Sequence, residues 1–166
     1  VKYIGMIIDE NWNWNEHVNF LCKSLLKYFG IFNKIKNFIS NKLARQLYFA
    51  FIYSRINYGI EVYGACAQHL TRKIQTLQNK LLKLLLRKKF RFSTNTLHKE
   101  MNLLKVTDIY KTNMICFVNS CLRGNVPDIF LHFYTDHETV YNTRSQGSLA
   151  IPRHRTVLGS LRAATQ

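Results

Sequence analysis

The sequence predicts a mainly α fold: a helical bundle behind one orphan β-strand, with an irregular, basic C-terminal tail. Residues 1–9 are β-branched and alternating and end in polar residues, as a short strand does. From residue 15 to about residue 133, apolar residues recur at the spacing of helix faces. After residue 139, small and polar residues dominate and no acidic residue occurs, while four arginines do: Arg144, Arg153, Arg155 and Arg162.

Six helices are predicted, and the first has Asn15 as its N-cap. A second helix, residues 41–58, is capped by Asn41. It is apolar nearly all round, so we expect it to be the buried centre of the bundle. Residues 68–88, 96–101 and 107–123 follow, and Gly124 ends the last of these helices. Pro127 suits the first turn of one more short helix, residues 127–133.

The charge of the chain is strongly positive. Lys and Arg total 24 against 9 Asp and Glu, and a hydrophobic fraction of 47% is too high for this excess to indicate disorder. The excess of positive charge therefore predicts a polyanionic partner. Charge alone does not choose between nucleic acid and an anionic membrane surface.

The cysteines and the hydropathy limit the class of protein. The four cysteines form no CxxC pair, and the six histidines lack zinc-ligand spacing, which predicts free thiols in a reducing compartment. The most apolar run, residues 47–53, is far shorter than the roughly 20 residues of a membrane span. We therefore expect an intracellular protein, neither secreted nor transmembrane. Because the chain starts with Val1 inside a strand pattern, we also expect it to be cut from something longer.

Several short motifs follow one another along nearly the whole chain. They are residues 2–9 with Trp14 and His17, residues 57–64 (Asn-Tyr-Gly-Ile-Glu-Val-Tyr-Gly), residues 77–83, residues 103–110, and residues 141–144 followed by Pro152 and Arg153. In this order they resemble the C-terminal part of jockey-like non-LTR retrotransposon reverse transcriptases. Tyr63 stands where that family usually has Trp, and Ser54 where a proline is common, which indicates divergence within the same fold.

The resemblance implies a division into four parts. Residues 1–14 correspond to the end of the palm with the primer-grip strand, residues 15–92 to a helical thumb, residues 93–138 to a helical C-terminal extension, and residues 139–166 to a basic, loosely ordered tail. In this family the carboxylates that hold two metal ions lie upstream, in the palm. This fragment is therefore expected to be inactive alone and to bind no cofactor, with Mg²⁺ only in the missing palm. The implied partners are an RNA–DNA or DNA duplex, the element RNA, and the missing palm and fingers of the same polypeptide, in the nucleus or cytoplasm.

Two groups of residues are the candidate nucleic-acid contacts. The first group is the primer-grip strand, where Gly5 allows close backbone approach: Lys2, Tyr3, Ile4 and Gly5. The second group is basic, and no Asp or Glu occurs from Ala65 to Lys99, whereas solubilising faces usually mix charges. Its members are Lys73, Lys80, Lys83, Arg87, Lys88, Lys89 and Arg91, extended on the first helix by Lys23, Lys27 and Lys34.

Weaker candidates have mainly structural interpretations. Phe90 and Phe92 alternate with basic residues and are the best candidates for stacking on bases. His17 is more simply explained by local packing than by nucleic-acid contact. Residues 136–138 (Asp-His-Glu) indicate a solvated loop in preference to a nuclease metal site.

Three functions remain open at this point. The first is a thumb that grips a template–primer duplex through its backbone. The second is a stand-alone basic helical module that binds a protein, as calmodulin targets do, or a membrane surface, through residues 77–92. The third is a decayed element fragment without a selected role.

Overall fold

The computed structural model describes residues 1–133, and the prediction of a mainly α fold is confirmed for this part of the chain. The chain divides into two compact units, Val1–Tyr110 and a second that begins at Lys111. The predicted basic tail, residues 139–166, and residues 136–138 lie outside the described residues, and the four-part division stays a prediction.

The elements are β1 (Lys2–Tyr3), β2 (Met6–Ile7), α1 (Asn15–Ile35), α2 (Asn41–Leu47), a π-helical segment (Tyr48–Tyr53), α3 (Ser54–Asn57), α4 (Ile60–Tyr63), α5 (Gln68–Leu85), α6 (Thr94–Glu100), α7 (Val106–Leu122) and a 3₁₀ helix (Asp128–Phe133).

The single orphan strand predicted at the N-terminus is wrong, because the chain turns back on itself there. β1 and β2 pair antiparallel, with Tyr3 opposite Met6, so that Ile4 and Gly5 form a two-residue turn. Both turn residues have positive φ, 44° and 79°, which is the conformation of a type I′ hairpin turn. The sequence hides this turn because Ile, a β-branched residue, stands where Asn or Asp is usual.

The core of the first unit lies between α1 and α5. The apolar stripe of α1 includes Val18 and Leu25, and that of α5 includes Ile74 and Leu81, all of them almost completely buried. The two helices pack along each other, while α1 also contacts α3 and β2. α5 contacts α6 as well, so that α5 connects the two ends of this unit.

The second predicted helix is more exposed than expected. Tyr48, Ile52 and Ile56 form one buried line at a spacing of four residues, but Leu43 and Phe51 are 42% and 40% exposed. The prediction that this helix is the buried centre of the bundle is therefore wrong. Its middle is π-helical, and π-helices occur mostly as short segments inside α-helices.

Helix ends differ from the predicted positions by a few residues. Ser40, not Asn41, caps α2, since its Oγ accepts a hydrogen bond from the backbone N–H of Leu43 at 3.3 Å. Trp14, not Asn15, is the N-cap residue of α1. α5 ends at Leu85, three residues before its predicted end, and α4 was not predicted at all. Along residues 1–133, no helix combines the length and apolarity needed to cross a membrane.

Candidate nucleic-acid interface

The solvent side of α5 carries a row of cations, which we call the basic face: Lys73, Lys80 and Lys83. Lys73 and Lys80 are exposed and lie two helical turns apart, about 10 Å along the axis, with a drift of only about 20° around it. Lys83, half-buried, lies nearby on the same side. The buried stripe of α5 occupies the other side, so these cations are available to a partner in solvent.

Two of these lysines also have partners within the protein. Lys73 Nζ donates a hydrogen bond to Asn19 Oδ1 of α1 at 2.5 Å, and so links the two core helices. Lys83 Nζ donates to the backbone carbonyl of Phe90 at 2.6 Å and lies 5.4 Å from the centre of the Phe90 ring. Lys80 is exposed and has neither kind of contact with the part of the chain that the structure describes, so it is the most available cation of the basic face.

The basic face continues into residues 86–93, which we call the basic loop. Arg87, Lys88, Lys89 and Arg91 are all exposed there. Together with the basic face, the loop contains all seven cations predicted between residues 73 and 91. The structure therefore places them on one helix and the loop that follows it.

The basic loop begins with a strained residue. Arg87 has φ 53°, and its N–H bonds to the carbonyl of Leu84, while the N–H of Lys88 bonds to that of Lys83. This pattern is the Schellman motif, which ends a helix with a residue in the left-handed conformation. Glycine is the usual residue at this position, so Arg87 holds its side chain at the helix end at a cost in backbone strain.

The hairpin tip forms one wall of a cleft of about 470 Å³. Lys2, Tyr3, Ile4 and Gly5, the predicted strand contacts, are all exposed. The hydroxyl of Tyr58 donates to the carbonyl of Ile4 at 2.6 Å and holds the tip against the helices. The residues that line the cleft come from the hairpin, α1 and α3 and include Lys2, Gly5, Phe20, Ser24, Arg55 and Tyr58.

Arg55 is a candidate contact that the sequence analysis missed. It is exposed and lines the same cleft as Lys2, so two cations from distant parts of the chain flank one concavity. Lys2 is oriented by Phe20, whose ring centre lies 5.6 Å from its Nζ. The sequence gives little signal for Arg55, which is one of three cations in the predicted helix 41–58, together with Lys42 and Arg45.

Lys23 and Lys27 are exposed on α1, on the side opposite to its buried stripe. Within residues 1–133, no hydrogen bond or cation–π contact joins either of them to the basic face, the basic loop or the hairpin. They are consistent with a wider positive surface, but the structure does not bring them into one cluster with the other candidates.

The Tyr-Gly-Ile-Glu-Val-Tyr-Gly motif, residues 58–64, joins distant elements. Gly59 has φ 66°, and a Cβ there would lie 2.7 Å from the sulfur of Met6 in β2. A Cβ on Gly64 would overlap the ring of Tyr110. Tyr63 is buried and its hydroxyl donates to the carbonyl of Ile56, and burial raises its pKa. The motif therefore positions the hairpin and the start of α7 against the bundle.

A buried amide network fixes the start of α7 to α5. Gln78 is fully buried, and its Nε2 donates to the hydroxyl of Tyr48 at 2.7 Å and to the carbonyl of Leu104 at 2.9 Å. Gln75 Oε1 accepts from the backbone N–H of Val106 at 2.8 Å. Burial raises the pKa of Tyr48 to about 12, so its hydroxyl stays protonated.

The structural role predicted for His17 agrees with its contacts. The side chain is 4% exposed, and Nδ1 accepts a hydrogen bond from the backbone N–H of Ile7 at 3.3 Å. Its ring lies 4.9 Å from that of Tyr63. Burial lowers the pKa of His17, which favours the neutral ring that this hydrogen bond requires.

The described residues offer no ready metal site. Among residues 1–133, no group of three or more His, Cys, Asp or Glu side chains lies close enough together to hold a metal ion. The four cysteines are free thiols, as predicted, and burial raises the pKa of Cys22 and of Cys66.

Comparison with known proteins gives one informative relative. The chain is 29% identical over 113 residues to a protein of Drosophila melanogaster described as "Probable RNA-directed DNA polymerase from transposon X-element". The chain is similar to part of a transposon reverse transcriptase. The match covers 64% of this chain and 12% of the relative, so the chain spans about an eighth of that protein. No family model and no solved structure matches.

This relative supports the coarser part of the sequence interpretation. The similarity supports a reverse-transcriptase-like origin, as the order of the short motifs predicts. The jockey-like subtype and the assignment to the thumb stay predictions.

Proposed function

We propose that residues 1–92 are the primer grip and thumb of a jockey-like non-LTR retrotransposon reverse transcriptase, which hold the template–primer duplex. The observation that carries the proposal is the basic face and basic loop. Seven cations lie on one helix and the loop after it, in a stretch of 35 residues, 65–99, without a single carboxylate. A surface that serves only solubility usually mixes both charges.

The chemistry of this surface suits the backbone of a duplex. Lysine and arginine side chains contact phosphates without reading sequence, and each contact releases condensed counterions. A polymerase must move along any template, so it needs this kind of grip. The relative's name, an RNA-directed DNA polymerase, supports RNA–DNA and DNA duplexes as the partners of this chain.

The cleft at the hairpin supports a second contact in the same proposal. Lys2 and Arg55 flank it, and Gly5, one of the two turn residues, has no side chain. A strand backbone can therefore approach the tip closely. In this proposal the metal-holding carboxylates and Mg²⁺ belong to a part of the palm outside this chain, so residues 1–92 bind the duplex but do not polymerise by themselves.

The test compares two triple variants of equal charge. Lys80→Ala, Lys89→Ala and Arg91→Ala remove three exposed cations of the basic face and basic loop, whereas Lys42→Ala, Lys111→Ala and Arg123→Ala remove three exposed cations elsewhere. Binding to an RNA–DNA duplex is measured by fluorescence anisotropy across a salt series.

The two variants are expected to differ in salt dependence. Each lost phosphate contact lowers the slope of log K against log salt by about 0.9, so the first triple lowers it by roughly 2 to 3 and the control by less than 1. An unchanged slope in the first triple, or equal changes in both, would overturn the proposal. Equal changes would show that net charge alone drives binding.

A further inference from the structure

We infer that the basic loop, beyond its proposed contact with a duplex, also binds an unpaired nucleotide strand, in which a base stacks on Phe90. This goes beyond the proposed grip on a duplex, because the bases of a duplex are stacked on one another and are not available to a side chain. The partner is single-stranded RNA or DNA, recognised by aromatic stacking together with phosphate contacts.

The position of Phe90 is the first observation. Its side chain is 80% exposed, although apolar side chains of this size are usually buried. The exposure does not come from a loose loop end, because three hydrogen bonds fix the backbone. They are Lys88 N–H to the carbonyl of Lys83, Phe92 N–H to that of Lys89, and Lys83 Nζ to that of Phe90 itself. Phe90 is thus held outward at the second position of a tight turn.

The cations around the ring are the second observation. Lys83 Nζ lies 5.4 Å from the centre of Phe90, and Lys88 Nζ lies 4.8 Å from the centre of Phe92. Arg91 follows Phe90 directly, and Lys89 precedes it. A base on the exposed ring would bring its own phosphates to these cations, so one short segment offers both contacts that a single strand needs.

Charge argues against an acid-poor protein as the partner. The loop contains four cations and no anion, so a partner must bring several negative charges at short, regular spacing. The first unit also contains an exposed phenylalanine outside the basic loop, which can be compared with Phe90. Phe38 is 88% exposed and lies in the turn after α1, where no cation from residues 1–133 stacks on its ring, so it serves as the matched control.

The experiment uses the full chain with Phe90→Ala, Phe90→Trp, Phe90→Leu and Phe38→Ala. Affinity is measured by fluorescence anisotropy for a 12-nucleotide single strand and for an RNA–DNA duplex of the same length. Phe90→Ala is expected to weaken single-strand binding by about tenfold and duplex binding by less than about twofold. Phe90→Trp retains single-strand affinity, Phe90→Leu loses it, and Phe38→Ala changes neither.

Several outcomes overturn the inference. Equal effects of Phe90→Ala and Phe38→Ala, or a Phe90→Leu variant that binds as well as Phe90→Trp, would show that no stacking site exists. If the protein binds the duplex and Phe90→Ala leaves single-strand affinity unchanged, this inference is refuted and the proposed grip stays intact. Single-strand binding that depends on Phe90 while duplex binding is absent supports the inference and refutes the grip. Loss of binding to phosphatidylserine vesicles in Phe90→Ala, with nucleic-acid affinity unchanged, would assign the loop to a membrane surface and overturn the inference.

Discussion

Arg87→Gly should separate the stability of the fold from the affinity for nucleic acid. Arg87 has φ 53°, and an L-residue in this conformation costs roughly 1 to 2 kcal/mol, a penalty that glycine does not have. Glycine in turn loses more conformational entropy on folding, about 0.5 to 1 kcal/mol. The difference predicts a free energy of unfolding that is higher by roughly 0 to 1.5 kcal/mol in the variant. The same substitution removes one exposed cation and lowers the salt slope of duplex binding by about 0.9.

Arg87→Ala is the matched control for the backbone effect. It removes the same charge but keeps a Cβ in the left-handed conformation, so the strain at φ 53° stays. Its binding should match that of Arg87→Gly, whereas its stability should stay close to that of the unchanged protein. Urea denaturation followed by circular dichroism gives the free energy of unfolding, and an equal m-value shows that the comparison is valid.

Two results would refute this reasoning. If Arg87→Gly unfolds at lower urea than Arg87→Ala, the left-handed conformation is not a source of strain at this helix end. If both variants keep the full salt slope, the guanidinium contacts no phosphate. The first result concerns the helix end alone, and the second concerns the interface alone.

Two further predictions concern stability. Gly64→Ala should lower the free energy of unfolding, measured by urea denaturation, by about 1 to 3 kcal/mol, because the added Cβ overlaps Tyr110. Gly30→Ala should raise it by about 0.5 to 1 kcal/mol, because this Cβ meets open space in a helix. Equal values for the two variants would contradict the packing. Burial lowers the pKa of both His17 and His98 below the usual 6.5, so the unfolded chain binds protons more readily, and the free energy of unfolding should fall as the pH drops from 7.5 through 6.5 to 5.5. A flat or rising profile over that range would be inconsistent with neutral, buried rings.

The helices could be predicted because their signal is local. Apolar spacing alone places α1, α5 and α7 within a few residues of their observed bounds. The hairpin could not, because its turn depends on a positive φ at Ile4, which this residue type argues against. α4, which follows Gly59, could not be predicted either, because a helix of four residues is too short to show a periodic pattern of apolar residues.

The sequence predicts those residues of the candidate site that are recognisable by their charge alone. It misses those whose place in the site depends on contacts between distant parts of the chain. Lysines on a helix without acidic neighbours are visible in the sequence. Arg55 was missed because its role depends on the hairpin, more than fifty residues earlier, which forms the other wall of the cleft. Tyr58 was seen as part of a motif, but its hydrogen bond to Ile4 was not, since no sequence rule pairs these positions.

Left-handed backbone conformations occur at both parts of the candidate interface, and also at Trp12 and Trp14 just before α1. α5, α6 and α7 end in the same Schellman pattern, with Arg87, Asn102 and Gly124 as the left-handed residue. Asn and Gly adopt this conformation easily, and Arg does not. The hairpin turn repeats the pattern, since Ile4 is strained and exposed at its tip. Arg87 and Ile4, which adopt this conformation at a cost, thus lie at the two proposed contacts, whereas α6 and α7 end in residues that adopt it easily. Because Arg87 combines a strained backbone with a proposed phosphate contact, Arg87→Gly should gain stability and lose affinity together.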